Sequence, residues 1–94
     1  MAAGHDAVAT AIVQGQLRVM GDVAISLAQA VAGLNVAPTG AATVSGDGNQ
    51  VLEQLVGQYS AITGPLGVRM CHTVAKAELA AHPDVTVPAF ASYA

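Results

Sequence analysis

Apolar side chains recur at alternating steps of three and four residues through the first third of the chain. This spacing places them on one stripe of an α-helix, as at the a and d positions of a coiled coil. The pattern predicts one long amphipathic helix over about residues 6–34. The stripe, called here the heptad seam, consists of Thr10, Val13, Leu17, Met20, Ala24, Leu27, Val31 and Leu34.

A second set of large apolar residues lies off the heptad seam. It consists of Val8, Ile12, Val19, Val23 and Ile25. A helix that is apolar on more than one face has more than one packing partner. The same segment contains Gly15 and Gly21, although glycine is about 1 kcal/mol less favourable than alanine inside a helix. We therefore interpret Gly21 as a position where a neighbouring helix approaches closely.

The apolar content is high for a chain of this length. The 94 residues allow one domain, 1–94, and 53% of them are hydrophobic while only 10% are charged, with a mean hydropathy of +0.53. Soluble domains carry roughly 25% charged residues, and a domain this small buries limited apolar surface. We therefore predict an oligomer. The predicted assembly interface consists of Val13, Leu17, Met20, Gly21, Ala24, Leu27, Val31 and Leu34.

The remainder of the chain predicts a second helix after a Pro/Gly-rich linker at about 35–48. Apolar periodicity resumes over about 49–81, and the sequence TGP at 63–65 is expected to break or kink this helix. Residues 82–94 contain alternating valines and a further proline, which favours an extended tail or edge strand. The predicted fold class is all-α: a long amphipathic helix and a kinked helix form a helical hairpin with an extended C-terminal arm.

Charge and targeting signals limit the partners and the compartment. Three Lys+Arg residues and a net charge of −3 exclude an electrostatic interface with nucleic acid. The N-terminus lacks the basic region of a signal peptide, and polar residues interrupt the longest uncharged run, Val23–Gly46. A single cysteine makes no internal disulfide. We predict a cytoplasmic protein that does not span a membrane, with peripheral membrane contact left open.

No arrangement of residues predicts catalysis, a metal site or a cofactor site. Cys71 and His72 are adjacent, so on a helix they point about 100° apart and do not form a nucleophile–base pair. The three histidines lack the i, i+4 spacing of a metal-binding helix. Cys71 is predicted to be a core or interface residue. The protein is therefore expected not to be an enzyme.

Two stretches resemble a known family. The segment Ala7–Gln29, through Val13, Gln14, Val19, Gly21, Asp22 and Ala24, resembles the front segment of RebB-like proteins, the structural subunits of R-bodies. The stretch QYSAITGPLGV, 58–68, is more loosely similar to short sequence motifs near that family's C-terminus. The glutamine-rich middle expected of the family is replaced by APTGAATVSGDG, and the tail beyond Ala80 has no counterpart.

The resemblance implies a small cytoplasmic protein that polymerises with itself and with paralogous subunits. R-body ribbons coil into cylinders and extend at low pH. Carboxylates buried between subunits titrate above their usual range, so the resemblance makes Asp22, His72 and Glu78 candidate pH-sensing residues. A competing interpretation is a small non-catalytic helical scaffold or accessory subunit of a larger complex, associated with a membrane or lining an apolar conduit. A chain that assembles by itself would favour the first interpretation.

Overall fold

The computed structural model describes residues 3–87 and residue 90, and it is predominantly helical. The helical class predicted from the sequence is confirmed. In chain order the elements are α1 (Ala3–Met20), α2 (Asp22–Gln29), β1 (Leu34–Val36), β2 (Ala42–Val44), α3 (Gly48–Thr63) and α4 (Pro65–Ala81).

The prediction of one continuous helix over 6–34 is wrong. The first helix ends at Met20, and α2 begins two residues later, at Asp22. Gly21 between them has φ 63° and ψ −144°, a backbone conformation that is essentially restricted to glycine. No other part of the described chain lies within 4 Å of the position that a Cβ would take at residue 21. Backbone conformation, and not close approach within the chain, therefore explains this glycine.

The predicted second helix corresponds to two helices, α3 and α4, separated at Gly64. Gly64 has φ 66° and ψ −152°, nearly the same conformation as Gly21. Pro65 follows as the first residue of α4, where its missing N–H removes no helical hydrogen bond. At the other end of α3, the Asp47 side chain accepts a hydrogen bond from the Gln50 amide and caps the helix.

The linker contains a short antiparallel hairpin that the sequence analysis did not predict. Leu34 pairs with Val44 and Val36 with Ala42, so the heptad seam ends in β1 and not in a helix. Helix α1 holds this hairpin through two side chains. The Val44 amide donates to Asp6 Oδ1 at 2.6 Å, and the Ala42 amide donates to Thr10 Oγ1 at 3.0 Å.

Much of the predicted seam is covered by the chain itself. Val13, Ala24, Val31 and Leu34 are buried in the core, and Leu17, Met20 and Leu27 pack partly buried against it. The core also takes Val8 and Ile12 from α1, together with Tyr59 and other residues of α3. Burial of these side chains is the main hydrophobic contribution to the stability of the fold. The four buried seam residues have almost no surface left for a second chain.

Helix α4 runs antiparallel to α1. A Cβ at Gly4 would contact His82, whereas Gln16 donates a hydrogen bond to Cys71 at 3.3 Å. The helices are in close contact at Gly15, where a Cβ would lie 2.7 Å from one methyl carbon of Val74. The missing side chain of Gly15 therefore allows this close contact between α1 and α4.

The described part of the predicted tail, residues 82–87 and 90, contains no strand and folds back onto the core. Helix α4 ends at Ala81, and Val85, Val87 and Phe90 are buried. The Val85 amide donates to the carbonyl of His82 at 3.0 Å, which closes a turn over Pro83 and Asp84. The predicted arm at 88–89 and 91–94 lies outside the described residues.

Candidate functional site

The large apolar side chains that remain exposed lie beside the two helix breaks. In the described part of the chain, these are Val19, Val23, Ile62 and Leu66, with exposed fractions of 53%, 52%, 62% and 63%. Val19 and Val23 flank Gly21, and Ile62 and Leu66 flank Gly64. We call this set the break face. Exposed apolar side chains gathered at one end are a mark of an interaction surface.

The two halves of the break face meet in a groove between α1 and α4. Its volume is about 460 Å³. A second cavity of about 270 Å³ shares Gly15, Arg18 and Val74 with it, so the groove continues along the α1–α4 seam. The principal lining residues are Gly15, Arg18 and Val19 from α1 and Leu66, Arg69 and Val74 from α4.

Both arginines of the protein line this groove. Arg18 and Arg69 are exposed, and neither guanidinium group makes a hydrogen bond or an ion pair with any other described residue. Asp22, in the first turn of α2, is the nearest carboxylate along the chain to Arg18. A guanidinium group offers five donors in a planar fork that matches a carboxylate. The groove therefore combines apolar walls with two guanidinium groups whose N–H donors suit an anionic group.

Sequence analysis identified part of this surface. Val19 and Val23 belong to the set found off the heptad seam, whereas Val8 and Ile12 of the same set are buried. Arg69 and Leu66 were not identified, because their position beside Arg18 depends on the antiparallel packing of α4 on α1. The break at Gly64 was the available signal for Ile62 and Leu66.

The candidate pH-sensing residues are not brought together. Asp22 is exposed at the start of α2, while His72 and Glu78 lie on α4. The His72 ring packs edge-on against Phe90, with ring centroids 5.3 Å apart. Glu78 is half-buried, five residues before the turn at Pro83. Neither His72 nor Glu78 lines the groove.

A small polar cluster is buried beneath the groove helices. Gln16 Nε2 donates to Cys71 Sγ, while Gln16 Oε1 has no partner among the described residues. Burial raises the pKa of the Cys71 thiol to about 11. Burial, and secondarily the Cys71 charge, also raises the pKa of Tyr59, whose hydroxyl donates to the Ala24 carbonyl at 2.9 Å. The prediction of Cys71 as a buried residue is confirmed, and a protonated buried thiol is a poor nucleophile.

Among residues 3–87 and 90, no group of three or more His, Cys, Asp or Glu side chains is placed to hold a metal ion. Over the same residues, no helix combines the length and the hydropathy that a membrane span requires.

No protein-family model matches the chain, and comparisons with curated proteins and with solved structures also give no match. The resemblance to RebB-like proteins stays a prediction.

Proposed function

We propose that the protein is a non-catalytic structural subunit that assembles with further copies of itself through the break face. One observation carries this proposal: Val19, Val23, Ile62 and Leu66 remain more than half exposed, whereas most other large apolar residues in the described part of the chain pack into or against the core. Association that covers them gains roughly 25 cal/mol for each Å² of apolar surface removed from water. The resemblance to RebB-like ribbon-forming proteins supports the same function.

The proposal moves the interface away from the heptad seam. The buried seam residues already pack within one chain, so a second copy has access to the second apolar face instead. The break face lies on helical residues, because each break is followed at once by a new helix. Apolar side chains on helices associate without first ordering a loop.

The test compares the purified, untagged protein with a break-face variant by sedimentation velocity and electron microscopy. The parent is expected to form concentration-dependent oligomers or filaments. The double variant Ile62→Gln/Leu66→Gln is expected to sediment as a monomer, because two amides replace the apolar contact. Both positions are exposed, so the fold should be unchanged, as measured by circular dichroism.

Ala77→Gln is the matched control, since Ala77 is exposed on α4 eleven residues beyond Leu66, about 16 Å along the helix. It should assemble like the parent. A parent that is monomeric at every concentration would overturn the proposal. A parent that assembles only when another subunit is supplied would favour the accessory-subunit interpretation instead.

A further inference from the structure

The carboxylates at the opposite end of the molecule form a counterpart to the groove. His5 Nε2 lies 2.8 Å from Asn49 Oδ1, and the Thr86 amide donates to the same oxygen at 3.2 Å. These contacts bring together the start of α1, the start of α3 and the segment after α4. The carboxylates on these three segments are those of Asp6, Asp47 and Asp84. We call this the acidic end.

The acidic end and the groove are separate electrostatic surfaces. Asp6 and Arg18 lie twelve residues apart on α1, about 18 Å along the helix axis. The screening length at physiological ionic strength is about 8 Å, so the arginines do not neutralise these carboxylates within one molecule. The groove is lined by two arginines, and Asp22 is the carboxylate nearest to Arg18 along the chain, whereas the acidic end has three carboxylates on segments that also carry His5 and His82.

The turn at Pro83 and Asp84 is an exposed part of the acidic end. Both residues are exposed, and the hydrogen bond from the Val85 amide to the His82 carbonyl closes the turn beneath them. Val85 and Val87 anchor the following segment in the core. The turn therefore presents an apolar ring next to a carboxylate that has no hydrogen bond or ion pair with any described residue.

We infer that the groove between α1 and α4 receives the Pro83–Asp84 turn of a second copy of this chain. Pro83 contacts the apolar wall at Val19 and Leu66, and the Asp84 carboxylate accepts hydrogen bonds from Arg18 and Arg69. This inference rests on the proposed function and specifies which surface of the partner copy occupies the site.

The contact is heterologous, because the two surfaces lie at opposite ends of one molecule. Each copy thus offers a free groove at one end and a free turn at the other, which generates an open polymer or a ring. An isologous contact between two grooves would instead place four guanidinium groups together, with only the two Asp22 carboxylates to offset them. Like charges placed together across an interface are strongly unfavourable.

A charge-swap experiment tests the inference. The groove variant is Arg18→Glu/Arg69→Glu, and the turn variant is Asp84→Lys. All three positions are exposed and unpaired in the described chain, so folding should be unaffected. Each variant alone is expected to need at least about tenfold more protein to assemble than the parent. An equimolar mixture is expected to regain assembly, since the native groove of one variant meets the native turn of the other and the Glu groove meets the Lys turn with complementary charge.

Asp47→Asn is the matched control, because it removes one carboxylate from the same end while its amide oxygen still caps α3. The protein concentration that Asp47→Asn needs for assembly should be closer to that of the parent than the concentration that Asp84→Asn needs. Equal effects of the two, or a mixture that gains nothing, would overturn the inference. If the parent assembles and only the groove variant fails, the groove receives a different surface of the partner copy, so this inference fails while the proposed function stands. If the parent itself never assembles, the proposed function fails.

Discussion

Gly21 and Gly64 adopt the same rare backbone conformation although their neighbours in sequence differ. Gly21 lies between Met20 and Asp22, and Gly64 lies between Thr63 and Pro65. Both have φ near 65° and ψ near −150°, where a Cβ clashes with its own backbone. Each break turns the chain into a new helix and leaves apolar residues on both sides exposed. Two single residues thus determine the position of the whole break face.

Replacing Gly21 by alanine should therefore destabilise the protein. We expect Gly21→Ala to lower the free energy of unfolding by about 1–3 kcal/mol, because alanine is strained at φ 63°. Gly57→Ala is the control, since Gly57 lies inside α3 with nothing within 4 Å of a Cβ, and it should stabilise by about 0.5–1 kcal/mol. Urea unfolding followed by circular dichroism measures both. Equal stabilisation by the two alanines would show that residue 21 is ordinary helix.

Because the Cys71 thiol is buried, the free energy of unfolding depends on pH in the alkaline range. A free thiol loses its proton near 9.0, whereas burial raises the pKa of Cys71 in the folded protein to about 11. The folded state therefore binds more protons between these values. The free energy of unfolding should fall as pH rises from about 9 to about 11, by up to about 2 kcal/mol from this residue.

Cys71→Ala should show a shallower decline over the same window, with the remaining slope due in part to Tyr59, whose pKa burial also raises. Parallel pH profiles for parent and variant would contradict the burial of the thiol as the cause.

At the scale of elements, sequence periodicity located most helical segments but not their ends. The three-and-four pattern continues through Gly21 because α2 still turns Ala24 and Ala28 toward the same core as α1. The periodicity therefore concealed the break. Each strand of the hairpin has only three residues, which is too short for an alternating pattern to be distinguished. Its position depends on Asp6 and Thr10 of α1, far away in sequence.

The close contact between α1 and α4 gives a prediction at this scale. A Cβ at residue 15 would lie 2.7 and 2.8 Å from the two methyl carbons of Val74, and a β-branched side chain has little freedom to move away. Gly15→Ala should therefore cost about 1–3 kcal/mol of stability through overpacking.

The double variant Gly15→Ala/Val74→Ala should recover part of this loss, beyond what the separate effects of the two changes predict. Strict additivity of the two free energies of unfolding would contradict a direct contact.

At the scale of the whole molecule, apolar surface and charge are both unevenly distributed. Composition predicted more apolar surface than a small chain hides, and Val19, Val23, Ile62 and Leu66 are where the structure leaves it exposed. Sequence reasoning placed the contact on the heptad seam because periodicity shows that residues share a face, but not which element covers that face. The sequence also could not predict that Arg18 and Arg69 line the same groove, because the two residues are 51 positions apart.

Hydrogen–deuterium exchange at increasing protein concentration tests the break-face assembly most directly. If copies meet there, backbone amides over 18–24 and 61–67 should exchange more slowly in concentrated than in dilute protein, because association restrains both helix breaks. The Ile62→Gln/Leu66→Gln variant should show no such concentration dependence. Exchange at both breaks that is the same at all concentrations, in a sample that is assembled by sedimentation, would contradict the account.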